Sequence, residues 1–353
     1  MLLTVGQVAE DLSGRTGSIG LDDAGRVRHR LTVVDLDTAP GATTAQTAEA
    51  ARRIAAGPGV VVGVAERVDR VPDALLDAVT LTLAPRGAAD DRRTVASADV
   101  AQDLETLRRS ADRNPAASAV LDQVLRGVAG LPVADALRLE SFAYSTLLAG
   151  PEFAAWLDRR GPRATPVVPE RCVLVERSGE ALRITLNHPG RRNAYSAAVR
   201  DALVDALDVA VLDPSVREVE LRGNGPAFCS GGDLAEFGTA PDPVSGHLIR
   251  TGRSAAALLA GLSARTHVRL HGHCVGAGIE LPSFASRVTA APDVAIRLPE
   301  IAMGLIPGAG GTVGITRRIG RWRTAYLALT GAVVDARSAL AWGLVDEVRP
   351  VGG

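Results

Sequence analysis

In the first hundred residues the apolar positions come in short, dense runs. Leu31–Asp37 (LTVVDLD), Val60–Ala65 (VVVGVA) and Ala78–Pro85 (AVTLTLAP) are rich in β-branched residues and predict strands. A helical run around Ala45–Ala56 falls between the first two. The charged stretch Arg86–Thr94 that follows is expected to be exposed and mobile. From Ala98 to Arg160 the period lengthens. Val100, Leu104 and Leu107 recur at helical spacing, as do Val120, Leu121, Val124, Leu125 and Val128. A third helix begins after Leu131-Pro132 with Ala136, Leu137, Phe142 and Leu147 as its apolar positions, and Pro151 opens a fourth that stops before Gly161.

Breakers at Gly161–Pro169 predict a linker. Beyond it, strand-like Cys172–Gly179 and Ala181–Pro189 flank a turn at Ser178-Gly179. Ser196 is the expected N-cap of a helix with Val199, Leu203, Leu207 and Val211 on one face. Arg217–Gly223 and His267–Gly272 predict further strands. The chain thus divides into an α/β region (1–97), a helical region (98–163) and a second α/β domain (170–353). LTVVDLDTAP has the pattern of LRITLNHPGR, and IAAGPGVVVGVA that of VLDPSVREVELRG. An eroded internal copy is therefore one reading of the first half.

The 353 residues carry 39 basic and 40 acidic side chains, a balance that argues against a general nucleic-acid surface. All 39 basic residues are arginine. Schiff-base chemistry and a phosphate-loop lysine are excluded. Three scattered cysteines, Cys172, Cys229 and Cys274, suit neither a disulfide scaffold nor a closed zinc site. The N-terminal sequence has no secretory pattern, and no apolar run approaches the ~18–20 residues that span a bilayer. A cytoplasmic protein with no membrane partner is expected.

Three glycine-rich turns each follow a strand: PAFCSGGDL, GHCVGAGIEL and GLIPGAGGT. Glycine permits close approach of backbone N–H groups, and two such turns could aim two donors at one oxygen. They could equally be tight strand-to-helix connections. Two carboxylates, Glu280 and Glu300, sit in apolar surroundings. Such acids either reach solvent at an edge or have raised pKa values, and a close pair can divide into general acid and general base. His271 and His273 share a strand face, but no third metal ligand accompanies them. Cys229 and Cys274 read as core residues rather than nucleophiles. The Gly276-Ala277-Gly278 turn lacks the rest of a dinucleotide fingerprint.

ITLNHPGRRNAYS, DPSVREVELRGNGPAFCSGGDL, HGHCVGAGIEL and RLPEIAMGLIPGAGGT, within about Arg171–Val348, resemble the crotonase (enoyl-CoA hydratase/isomerase) superfamily. The resemblance implies an α/β fold of crotonase-like ββα spiral type, joined here to an N-terminal α/β-plus-helical half. It implies an oxyanion hole from the N–H groups of Gly232 and Ala277. It further implies catalytic roles for Glu280 and Glu300, and a substrate-holding role for Gly308. The substrate would be an acyl-CoA thioester, with coenzyme A as part of the substrate and no separate cofactor or metal. Arg191 and Arg192 fall in the segment near the coenzyme A phosphates. The leading expectation is hydration of a 2-enoyl-CoA to a 3-hydroxyacyl-CoA. Double-bond isomerisation, cofactor-free oxygenation of an acyl-CoA, and a non-catalytic assembly role remain alternatives. A homo-oligomer is expected.

The helices that usually follow WGLVDEV in that family have no counterpart in this sequence, whereas Leu137–Arg160 is similar to them. The N-terminal half is therefore expected to supply the cover over a single active centre per chain.

Overall fold

A computed structural model describes residues 2–11, 16–29, 31–88, 91–164, 167 and 169–350. The first half opens with β1 (Leu2–Thr4), α1 (Val5–Ala9), the hairpin of β2 (Ile19–Leu21) and β3 (Val27–His29), and β4 (Thr32–Asp35). It continues through α2 (Thr44–Ala56), β5 (Val61–Val64), α3 (Asp73–Ala78), β6 (Leu81–Pro85) and β7 (Thr94–Ser97). β1, β4, β5, β6 and β7 form one parallel sheet in that order. Successive side chains of a strand face opposite ways. Val33 and Val62 accordingly enter the main core, while Val34 and Val61 enter a second core with Leu75 of α3 and Ile54 of α2.

Four helices follow: α4 (Val100–Arg113), α5 (Pro115–Gly127), α6 (Val133–Leu148) and α7 (Pro151–Arg160). Pro115 and Pro151 stand in the first turns of their helices, where the missing N–H costs nothing. Glu152 caps α5 from outside, accepting from the N–H groups of Ala116 (2.7 Å) and Ala117 (3.0 Å).

The second half runs β8 (Val173–Ser178), β9 (Ala181–Leu186), α8 (Ala197–Leu212), β10 (Glu218–Gly223), α9 (Pro243–Gly252), α10 (Ala255–Gly261), β11 (Thr266–Leu270) and β12 (His273–Val275). It ends with α11 (Ala277–Glu280), β13 (Arg287–Ala290), β14 (Ala295–Arg297), α12 (Gly311–Thr330), β15 (Val334–Asp335), α13 (Ala336–Trp342) and β16 (Glu347–Val348). One sheet has the order β16-β13-β11-β10-β9-β8, and a smaller one the order β12-β14-β15. Strand follows strand across the larger sheet with helices between, as in a ββα spiral. Among the described residues no helix is long and apolar enough to cross a membrane.

Ser196 caps α8 as expected, accepting from the Val199 N–H. Two apolar positions differ from the sequence reading. Val211 on α8 is exposed, its place in the buried stripe taken by Ala210, and Phe142 on α6 is exposed and stacked on His247. The stretch read as mobile lies partly outside the described residues, but Thr94 begins β7, and Arg93 pairs with Asp73, Asp77 and Asp91. The expected linker likewise falls partly outside the described residues.

Arg317, Arg321 and Arg323 of α12 reach back to the backbone carbonyls of Leu131, Asp77 and Thr94. The last of these also meets the Asp91 carbonyl. One helix of the second half is thus stitched along its flank to the first.

Candidate active site

The site forms where three turns meet under α6 and α7. The backbones of Cys229 and Cys274, both free thiols, pair in a single parallel β-bridge, and the Tyr195 N–H donates to the Gly231 carbonyl, which sets the SGGD turn beside the VGAG turn. Gly276 has φ 50° and ψ −121°, a conformation that L side chains avoid. A methyl group there would sit 2.6 Å from Glu300 Oε1 and 3.6 Å from Glu280 Oε1. Both carboxylates therefore lie against the bare side of one glycine. Among the described residues no acceptor meets the N–H of Gly232 or of Ala277.

Glu280 ends α11 and is almost fully buried. Its Oε2 accepts from the N–H groups of Ala309 (2.8 Å) and Gly311 (2.9 Å). Those bonds favour the ionised form, but burial outweighs them and raises the carboxyl above its ordinary range. Glu300 begins a short 3-10 turn and is also buried, and its Oε2 has no hydrogen-bond partner among the described residues. Burial, together with the nearby Glu280 charge, pushes Glu300 well above the usual carboxylate value. The site thus contains one carboxyl that burial and a neighbouring acid push toward the protonated form and another whose ionised form is supported by two amides.

The structure also brings Gly308 to this turn. It pairs Arg191 with the buried Asp233, next to Gly232, at 2.7 Å. Arg192 is left-handed (φ 50°), its carbonyl accepting from the Ser230 N–H and its side chain exposed. Neither arginine side chain enters the carboxylate cluster. His271 bonds the Gly225 carbonyl through Nε2, and His273 is exposed. Among the described residues no group of three ligating side chains could hold a metal. All three cysteines are buried, and burial raises each thiol pKa, which disfavours the nucleophilic thiolate.

Four residues not singled out from the sequence complete the site. Glu140 of α6 accepts from the N–H groups of Gly310 (2.7 Å) and Thr312 (2.9 Å) and from the Thr312 hydroxyl (2.7 Å). Burial raises its pKa, with Glu280 adding to the shift. The Tyr144 ring lies against Gly308, where a methyl group would come within 2.4 Å of it. Arg250 of α9 stacks over that ring, its guanidinium carbon 4.6 Å from the centroid. Tyr195 lines two cavities, one of 280 Å³ beside Gly308–Gly310 and one of 360 Å³ beside Phe237. The sequence offered for Glu140 only its place one turn after Ala136 on α6, which did not set it apart.

The α7 helix closes the remaining side. Trp156 meets Phe237 edge-on, Leu157 packs on Gly238, and the start of α7 rests on Gly304. The N-terminal half therefore covers the SGGD and PGAGG turns.

Residues 176–352 match the family described as enoyl-CoA hydratase/isomerase. The chain is 33% identical over 178 residues to the 2,3-dehydroadipyl-CoA hydratase of Escherichia coli, spanning 50% of this chain and 69% of that protein. It is 32% identical over 180 residues to a mevalonyl-coenzyme A hydratase of Beauveria bassiana, spanning 49% of this chain and 64% of that one. An enoyl-CoA hydratase structure from Mycobacterium smegmatis aligns with a TM-score of 0.48 at 31% identity, over 51% of this chain and 71% of that one.

Proposed function

We propose that this chain, which belongs to the enoyl-CoA hydratase/isomerase family, adds water across the double bond of a 2-enoyl-CoA. The observation that carries the proposal is the pairing of two buried, unequal carboxylates with two N–H groups that meet no acceptor among the described residues. The thioester carbonyl binds at the N–H groups of Gly232 and Ala277, which draws electron density from Cβ. Glu280, its Oε2 fixed by two amides, takes a proton from water with its other oxygen, and the hydroxide bonds to Cβ. Glu300, neutral before the reaction, gives its proton to Cα. The product is a 3-hydroxyacyl-CoA, with no cofactor beyond the coenzyme A carried by the substrate. The relatives named as hydratases support water addition over double-bond migration.

The test is Glu300→Gln, assayed on a panel of 2-enoyl-CoA thioesters by mass spectrometry. Removal of the acid is expected to lower the rate by about 10²–10⁴-fold. An undiminished rate overturns the assignment. A product with a shifted double bond identifies isomerisation instead, and oxygen consumption identifies oxygenation.

A further inference from the structure

The 280 Å³ cavity shares Gly308, Ala309 and Gly310 with the turn that holds Glu280, and Leu281 follows that carboxylate into its wall. Ala255–Ala257 make part of the lining apolar. Four arginines reach the same space: Arg138, Arg200, Arg250 and Arg253. Three of them are paired with acids. Arg138 meets Asp135, Arg200 meets Asp201 at 2.9 Å, and Arg253 meets Asp201 at 3.2 Å and Asp205 at 2.6 Å.

Arg250 differs. Among the described residues no carboxylate lies within ion-pair distance of it. Its Nε donates to Ser141 Oγ at 3.2 Å, and its Nη2 donates to the Ser141 carbonyl at 3.3 Å and to Ser145 Oγ. Its Nη1 has no acceptor among the described residues. These neutral partners and the Tyr144 face fix the guanidinium in place without neutralising it. Burial opposes its charge. Glu140 in the same cavity wall offsets part of that cost, but with no ion-pair partner among the described residues a half-buried guanidinium facing a cavity is stabilised further by an arriving anion.

We infer that this cavity receives the far end of the acyl chain, and that Arg250 selects acyl groups ending in a carboxylate. The inference rests on the acyl-CoA reading above. The cavity adjoins the Glu280 carboxylate through Leu281, Ala309 and Gly310, so an acyl chain processed at that carboxylate has Arg250 in the wall of the adjoining space. Coenzyme A phosphates are a second source of negative charge. Because every thioester carries them, they weaken or strengthen all acyl-CoAs alike and are separable by experiment.

The experiment is calorimetric titration of the full chain with glutaryl-CoA and pentanoyl-CoA, saturated thioesters of equal carbon number that are not substrates for hydration. Glutaryl-CoA is expected to bind about 10-fold or more tightly, the scale of a charge-assisted hydrogen bond. Arg250→Gln is expected to bring the ratio close to one. Equal binding by the unaltered chain overturns the inference and leaves the acyl-CoA reading standing. Equal weakening of both thioesters by Arg250→Gln assigns Arg250 to coenzyme A and also overturns it. Failure of both to bind the unaltered chain overturns the acyl-CoA reading as well. The comparison in the unaltered chain decides the question even if the variant does not fold.

Discussion

Glu140 and Glu280 share four consecutive backbone N–H groups at the start of α12, in alternation. Glu280 takes Ala309 and Gly311, while Glu140 takes Gly310 and Thr312. The first turn of a helix leaves these donors without intrahelical partners, and its positive end favours negative charge. Here one carboxylate comes from the second half and the other from α6 of the first. The turn that orients Glu280 is thus held in place by Glu140.

Glu140→Ala leaves two buried N–H groups without acceptors. A stability loss of about 1–3 kcal/mol is expected, together with a lower kcat and a smaller change in KM, as befits a positioning residue. Glu140→Gln removes a negative charge that helps raise Glu300. The alkaline limb of the rate profile should therefore move to lower pH, a shift that a purely structural defect does not produce.

Gly308→Ala sets a methyl group 2.4 Å from the Tyr144 ring. Overpacking of this kind costs about 1–3 kcal/mol. Tyr144→Ala removes the obstruction at the expense of a cavity. Thermal denaturation of both single variants and the double variant should give less than the sum of the separate losses, with a coupling of about 1 kcal/mol or more. Strict additivity contradicts the contact.

On the acid limb, activity and stability should respond to pH in opposite directions. kcat/KM is expected to rise as Glu280 ionises near its raised pKa of about 7 and to fall at higher pH as Glu300 loses its proton. Glu140, Glu280 and Glu300 all have pKa values above those of the unfolded chain. Their contribution to stability is therefore fully present below the unfolded pKa and is lost as pH rises through the folded values. Tm should fall from about pH 5, just above the ordinary carboxyl value of 4.5, to about pH 8, as the folded values of Glu280 (about 7) and Glu140 (about 8) are passed. A Tm that is flat or rising over that range contradicts the raised values.

Expression of residues 171–353 alone tests the cover. That fragment loses Glu140, Tyr144 and the α7 contacts with Phe237 and Gly304. It is expected to aggregate or to be inactive, as read by size-exclusion chromatography and turnover. A stable, active fragment contradicts the dependence.

The sequence made the local features legible. Ser196, Pro115 and Pro151 mark helix starts through chemistry confined to a few neighbours, and the glycine turns announce themselves through residues that few other conformations favour. Glu280 and Glu300 stand out because an acid in an apolar run demands an explanation. Glu140 did not, since periodicity says that a helix face is buried but not what buries it. Its partner Thr312 is 172 residues away. Arg250 was hidden for a similar reason: one arginine among 39 becomes distinctive only when its neighbours are seen to be paired. β7 escaped because it follows a charged segment whose last residue, Arg93, is consumed by three aspartates.

Because Arg317, before the break at Gly320 in α12, and Arg321 and Arg323, after it, bind the carbonyls of Leu131, Asp77 and Thr94, the kinked segment that begins at the catalytic turn is also anchored to the N-terminal half. Pulling the halves apart tears at the segment whose first turn holds the carboxylates. The molecule should accordingly melt as one cooperative unit, with activity vanishing along the same calorimetric transition that dismantles the first sheet.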